Sequence, residues 1–173
     1  HGVSLFHLLI AAYTRSLQAC LSTQSLAINV AEHGRSLRLA QIENMLGCCA
    51  DQLPLLVNLP TGSSVIELAV QIRERWNSVQ QHNSVSSFDL AQLMPTRQGG
   101  VRTAGAATFS FARFEQDAPE QLGLAFGDLD VFAASAATRL TLLAWEHAGA
   151  LEFRWHYPVG SLKPAQSEKL RTD

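Results

Sequence analysis

The chain has 173 residues, 47% of them apolar and 16% charged, enough to bury one substantial core as a single unit over residues 1–173. A formal net charge of −2 supplies no basic field, which argues against nucleic acid as a partner. No apolar run approaches the length of a membrane span, which argues against insertion in a bilayer.

The opening HGVSLFHLLIAAY lacks the basic n-region and small-residue cleavage site of a signal peptide. With no initiator Met and a helix beginning by Ser4, it reads as a cut inside a larger protein. Ser4 to about Cys20 is a predicted helix: Ser4 can cap it, and Leu5, Leu8, Leu9, Ala12, Tyr13 and Leu17 recur at helical spacing. SLAINV, Ser25 to Val30, is a short strand, and AEHGRS after it is a polar loop. Ala40 to Leu46 forms a brief helical turn ended by Gly47. The stretch from Cys48 to Leu59 is mostly apolar, as in a strand buried on both faces.

Ser64 followed three residues later by Glu67 is a capping-box signature. Val65, Leu68, Ala69, Ile72, Trp76 and Val79 then form one apolar stripe, with Arg73, Glu74 and Arg75 on the polar side. His82, near the end of that helix, suits a C-terminal cap. Ser87 can cap a short helix from Phe88 to Met94 that stops before Pro95. Thr96 to Gly105, with three glycines, is a loop or crossing segment.

In the second half TFSFARF, Thr108 to Phe114, alternates as a strand. Gln116 to Gly123 is a polar connection, and Leu124 to Phe132 makes one kinked strand or two short ones around Gly127. Thr138 to His147 and Leu151 to Tyr157 are strands joined through Ala148, Gly149 and Ala150 in a hairpin. A final helix spans Ser161 to Leu170 with Pro164 in its first turn. Helices and strands interleaved around crossovers, with one antiparallel hairpin, indicate an α/β chain of α+β character: a mixed sheet with helices packed against it.

Cys20, Cys48 and Cys49 are an odd count without metal spacing. Cys48 and Cys49 would point to opposite sides of a strand, which makes a bridge between them sterically poor. Small buried thiols in a reducing cytosol are the expectation, and the location expected is cytoplasmic. His147 and His156 flank the hairpin with no Glu or Cys at ligand spacing, so no metal site is expected.

The segment IENMLGCCADQLPLLVNL, Ile42 to Leu59, followed by PTGSSVIELAVQIRERW, resembles the IGxFVNTLPLR motif of condensation domains of nonribosomal peptide synthetases. LAINVAEHGR is similar to the family's strand followed by an AGR or GHGR loop. SSFDLAQLM resembles its PFEKL segment, and TFSFARF and TRLTLLAWEHAGALEFRWHYPVGSL resemble its later strand and closing hairpin. The order agrees over almost the full length. The fold implied is the C-terminal lobe of a chloramphenicol acetyltransferase-like domain: a mixed sheet, flanking helices and a C-terminal hairpin. The sequence departs from the family with Asp51 in place of Asn, Leu56 in place of Arg, and no arginine-rich RDxSRNPL pattern ahead of the TFSF strand.

The histidine motif HHxxxDG, which the family carries in its N-terminal lobe, is missing from this sequence, so no catalytic residue is expected in this chain. Close alternatives by the same resemblance are an epimerization-type relative, a lobe of a stand-alone acyltransferase using coenzyme A, and a non-catalytic docking module. The cofactors implied are none bound directly, only the phosphopantetheine arms of carrier proteins that bring substrates. The partners implied are the N-terminal lobe of the same domain and peptidyl carrier proteins. A lobe parted from its partner exposes apolar surface, which favours self-association.

Four residues are candidates for function. The resemblance places Asp51 at the substrate tunnel, and a carboxylate in an apolar run must otherwise find partners or shift its pKa. Against this stands a strand-end Asp in water or a structural ion pair. Ser110 has no GxSxG elbow around it; it is an ordinary strand serine that could line the same tunnel. His33 and Arg35 follow a strand and could meet a carrier arm or a neighbouring lobe, against the reading of a solvated loop.

Overall fold

A computed structural model of the chain describes residues 2–35, 41–47, 49–58, 62–95, 102–105, 107–114, 138–147, 149–158, 160, 162–165 and 168. In chain order these form α1 (Leu5–Leu21), β1 (Ser25–Glu32), a 3-10 turn (Ile42–Asn44), β2 (Asp51–Asn58), α2 (Val65–Gln81), α3 (Ser87–Leu93), β3 (Ala107–Phe114), β4 (Leu140–His147) and β5 (Ala150–His156). The strands expected in 124–132 and most of the final helix lie outside the described residues, although Pro164, Ala165 and Glu168 are helical.

The sheet order is β2-β1-β3-β4-β5. β1 pairs antiparallel with β2 and parallel with β3, β3 pairs parallel with β4, and β4 and β5 form the antiparallel hairpin. The sheet is therefore mixed, with a parallel centre and antiparallel edges. The parallel β1–β3 contact follows a long connection through β2, α2 and α3, as parallel pairing requires.

Side-chain alternation sends one set of strand residues to the helices. Ile28 and Val30 of β1, Leu53, Leu55 and Val57 of β2, Phe109 of β3, and Leu140, Leu142 and Ala144 of β4 share one core with Ile10, Tyr13 and Leu17 of α1 and Leu68, Ile72 and Trp76 of α2. Full burial of each large aliphatic side chain contributes about 1.5–3 kcal/mol, so this layer of two helices on one sheet face carries most of the stability. Tyr13 is central to it. Its ring lies 5.9 Å from Phe109 and 5.5 Å from Trp155, and its hydroxyl donates to the Leu140 carbonyl at 3.4 Å. Burial pushes the Tyr13 phenol far above its ordinary range.

The apolar run in β2 reads as a strand buried on both faces, but the structure makes it an edge strand with alternating burial: Leu53, Leu55 and Val57 are inside, while Leu56 is 54% exposed. Pro54 fits that position, because an edge strand can spare the ladder hydrogen bond that proline cannot donate.

The caps show a similar pattern. At α2 the Ser64 hydroxyl accepts from the Glu67 N–H at 3.2 Å, and the Glu67 carboxylate accepts from the Ser64 N–H at 2.7 Å and from its hydroxyl at 2.9 Å, which together hold the Glu67 carboxyl below its usual range. His82 closes the other end with Nδ1 2.8 Å from the Ser78 carbonyl. Helix α3 is capped by Ser86 rather than Ser87, because Asp89, three residues on, returns a bond to the Ser86 N–H at 3.0 Å.

At α1 the returning group is a histidine. His7 Nδ1 accepts from the Ser4 N–H at 3.1 Å and lies 2.7 Å from the Ser4 hydroxyl. An imidazole can accept at Nδ1 only while that nitrogen is unprotonated. Burial, and then the neighbouring Arg73 charge, lowers the His7 pKa below its ordinary 6.5. The unfolded chain therefore binds the proton more readily than the folded one. Stability is fully present above pH 6.5 and is lost as pH falls from 6.5 through the lower folded value. Thermal unfolding followed between neutral and mildly acidic pH should show this loss, and His7→Gln, which keeps an acceptor that does not titrate, should flatten that part of the profile.

Candidate functional site at the strand ends and open sheet face

Two regions carry the residues singled out in the sequence. The first is the end of the sheet where β1 leaves and β2 enters. Glu32 and Asp51 are cross-strand partners there. Asp51 is exposed, and its Oδ1 accepts from the Gln52 N–H at 2.7 Å. It stands at the mouth of the strand, facing water. Of the alternatives weighed for this carboxylate, its placement matches a strand-end Asp in water, because the strand begins at Asp51 itself.

The loop that follows β1 folds back over this end. His33 Nδ1 accepts from the Arg35 N–H at 2.9 Å, and Arg35 Nη1 donates to the Ile42 carbonyl of the 3-10 turn. Gly34 between them has φ +62°, and a Cβ there would fall on the Cys49 carbonyl oxygen. Only glycine allows the loop to close this tightly against the entry to β2. His33 and Arg35 are thus brought to the same corner as Asp51, and both also take part in shaping the loop.

The second region is the face of the sheet opposite α1 and α2. By alternation it presents Asn29 of β1, Thr108, Ser110 and Ala112 of β3, Thr141, Leu143 and Trp145 of β4, and Glu152, Arg154 and His156 of β5. On the helix side Ile28, Val30, Leu53, Leu55, Phe109 and Leu142 are buried, whereas Ser110, Ala112, Thr141, Leu143 and Trp145 here are half-buried. Ser110 lies mid-strand on this face, paired in register with Leu143. Asp51 has the parity of Leu53 and so belongs to the helix side. The structure does not bring Asp51 and Ser110 together.

Asn29, a polar residue of this face, was not singled out in the sequence. Asn29 is 4% exposed; its Nδ2 donates to the Gly105 carbonyl at 2.9 Å, and its Oδ1 makes no hydrogen bond among the described residues. Thr103 Oγ1 donates to the same carbonyl, and Thr108 Oγ1 lies 3.4 Å from Thr138 Oγ1. A polar residue in the middle of SLAINV was the available signal. Its Nδ2 bond fixes the chain just ahead of β3, where a Cβ on Gly105 would fall on the Ala27 carbonyl.

Among the described residues no group of three His, Cys, Asp or Glu side chains could hold a metal ion, and no helix is long and apolar enough to cross a membrane. Cys20 and Cys49 are half-buried thiols outside any disulfide; Cys48 lies outside the described residues.

This architecture recurs in solved structures. The epimerization domain from the third module of tyrocidine synthetase B superposes with a TM-score of 0.69 at 17% identity, over 99% of this chain and 40% of that one. The starter condensation domain of rhizomide synthetase gives 0.73 at 16% identity, over 95% of this chain and 38% of that one. The fold is that of a condensation-domain half. Such a half fits the mixed five-stranded sheet with α1 and α2 on one face. In sequence, 89 residues are 28% identical to the nonribosomal peptide synthetase fmqA of Aspergillus fumigatus, covering 51% of this chain and 2% of that protein. No protein-family model matches the chain. The chain spans two fifths or less of each of these proteins.

Proposed function

We propose that this chain is the C-terminal lobe of a condensation-type domain, forming one wall of a substrate tunnel whose other wall, an N-terminal lobe, supplies the catalytic histidine. The observation that carries the reading is the half-buried sheet face opposite the helices, in a fold that superposes over nearly its whole length on two fifths of larger domains. A face holding Leu143, Trp145 and Ala112 beside Ser110 and Thr141 suits a surface that another lobe completes.

In the complete domain an aminoacyl amine on one carrier protein attacks the thioester carbonyl of an acyl or peptidyl chain on another. The C–N bond forms, the C–S bond breaks, and the phosphopantetheine thiol leaves with the proton that the amine has lost. Such a reaction depends chiefly on holding the two reactants in line, with a base to handle the amine's proton. Neither role requires a cofactor bound to this chain. The residue we assign to the tunnel wall is Ser110, on the open face, and Asp51, at the sheet end with helix-side parity, is assigned to the tunnel mouth. His33 and Arg35 at the Gly34 corner are assigned to contact with the carrier arm or the other lobe. The partners are the N-terminal lobe and peptidyl carrier proteins, and the compartment is the cytoplasm.

Asp51→Ala in the complete domain tests the assignment. Because the carboxylate is exposed and among the described residues bonds to its own neighbour's N–H, unfolding free energy should change by less than about 0.5 kcal/mol. Amide formation from loaded carrier proteins should fall about tenfold or more if the carboxylate orders the tunnel mouth. Unchanged turnover would remove Asp51 from the site.

A further inference from the structure

The two edges of the sheet are not alike. β2 carries Pro54 in its interior, which interrupts the row of backbone donors that another strand would need. β5 has no such device: its seven residues run in unbroken register with β4 and contain no proline or glycine. The loop between His147 and Ala150 has two residues, so the pair that flanks it closes the hairpin and hydrogen bonding alternates outward from there. The backbone N–H and C=O groups of Leu151, Phe153 and Trp155 therefore point away from β4, to the edge where no described strand pairs with β5. On the same residues the side chains are apolar and partly uncovered, with Phe153 48% exposed and Leu151 40%. The alternate residues, Glu152 and Arg154, carry opposite charges two positions apart.

We infer that β5 pairs antiparallel with β5 of a second copy of this chain, about a two-fold axis through Phe153. In that register Phe153 faces Phe153 of the second copy, Leu151 faces Trp155, and Glu152 faces Arg154. The two charge pairs fall at non-hydrogen-bonded positions, where side chains approach most closely. Shifting the axis to Leu151 would set Glu152 against Ala150, and shifting it to Trp155 would set Arg154 against His156. Only the Phe153 register matches each charge with its opposite while joining the outward backbone groups and the apolar row. An isologous contact of this kind closes at a dimer and makes a continuous ten-stranded sheet from the five strands of each copy. It joins sheet edges, with its charge pairs Glu152 and Arg154 on the side of the open sheet face, and it does not depend on the proposed function.

Sedimentation velocity of the 173-residue chain over a roughly hundredfold concentration range should show a monomer–dimer equilibrium. Glu152→Arg places like charges at both pairs and should weaken the dimer at least about tenfold. Adding Arg154→Glu to the same chain restores complementarity and should recover wild-type association, as should mixing the two single variants. Amide exchange at Leu151, Phe153 and Trp155, followed on the unmodified chain, should slow as concentration rises. A monomer at every concentration, or a dimer indifferent to the charge reversal and its rescue, overturns the inference. So does concentration-independent exchange along β5.

Discussion

Phe109→Ala is expected to destabilise the chain by about 3–5 kcal/mol, the usual cost of emptying an aromatic site in a closed core. Phe109 is fully buried in β3, between the parallel neighbours β1 and β4. Its ring touches those of Tyr13, at 5.9 Å between centroids, and Phe6, at 5.8 Å. Phe6 in turn packs 5.5 Å from Trp76 of α2. Phe109 thus packs directly on α1 in the middle of the sheet, and Phe6 carries the aromatic contact on to α2. Against a total of about 5–15 kcal/mol for an ordinary domain, the loss should be plain in urea unfolding as a lower midpoint at unchanged slope. A shift below about 1 kcal/mol would mean that this layer repacks and that the core is not the rigid body described above.

Gly34→Ala is expected to act through the backbone and not through lost contacts. With φ +62° the residue sits in the left-handed region, which costs an L-residue roughly 1–2 kcal/mol. The added Cβ also falls on the Cys49 carbonyl, a backbone atom that cannot rotate away. The loop and the entry to β2 must part, and we expect a total loss of about 2–4 kcal/mol. The distinctive sign is local. Amide exchange should accelerate around Cys49 to Gln52 in the variant, because Asp51 begins its strand two residues after the displaced carbonyl. Stability within about 0.5 kcal/mol of wild type, with exchange unchanged there, would show that the corner is looser than the geometry implies.

The elements with strong local signals were legible in the sequence. Ser64-x-x-Glu67 announces the start of α2, the apolar stripe of α2 finds its buried side in Leu68, Ala69, Ile72 and Trp76, and the β4–β5 hairpin follows from alternation around Ala148 and Gly149. Two misreadings have definite causes. Asp89 bonds to Ser86, so the start of α3 was decided by the residue three positions on and not by the serine nearest the apolar run. The run QLPLLVN looked buried on both sides because periodicity cannot separate an edge strand from a central one when the wet face carries Leu56; Pro54 was the overlooked sign of an edge.

The candidate site was only partly legible. Asp51, His33 and Arg35 gather at one corner because β1 and β2 pair end to end, with Glu32 opposite Asp51, and that pairing is a tertiary fact. Counting alternately from Leu53 and from Phe109 shows that Asp51 and Ser110 differ in parity once the helix side is known, but no residue pattern in the strands says which side the helices take. The His7 cap at α1 escaped because the usual signature asks for Glu or Gln at that position.

In the function proposed above, this chain supplies one wall of a tunnel and not the proton-handling histidine. The most direct test is product formation from carrier proteins loaded with a donor thioester and an acceptor amine, assayed with the isolated 173-residue chain and with the complete domain that contains it. The account predicts amide from the complete domain and none above background from the chain alone. Amide formed by the isolated chain at a rate comparable to the domain would contradict it.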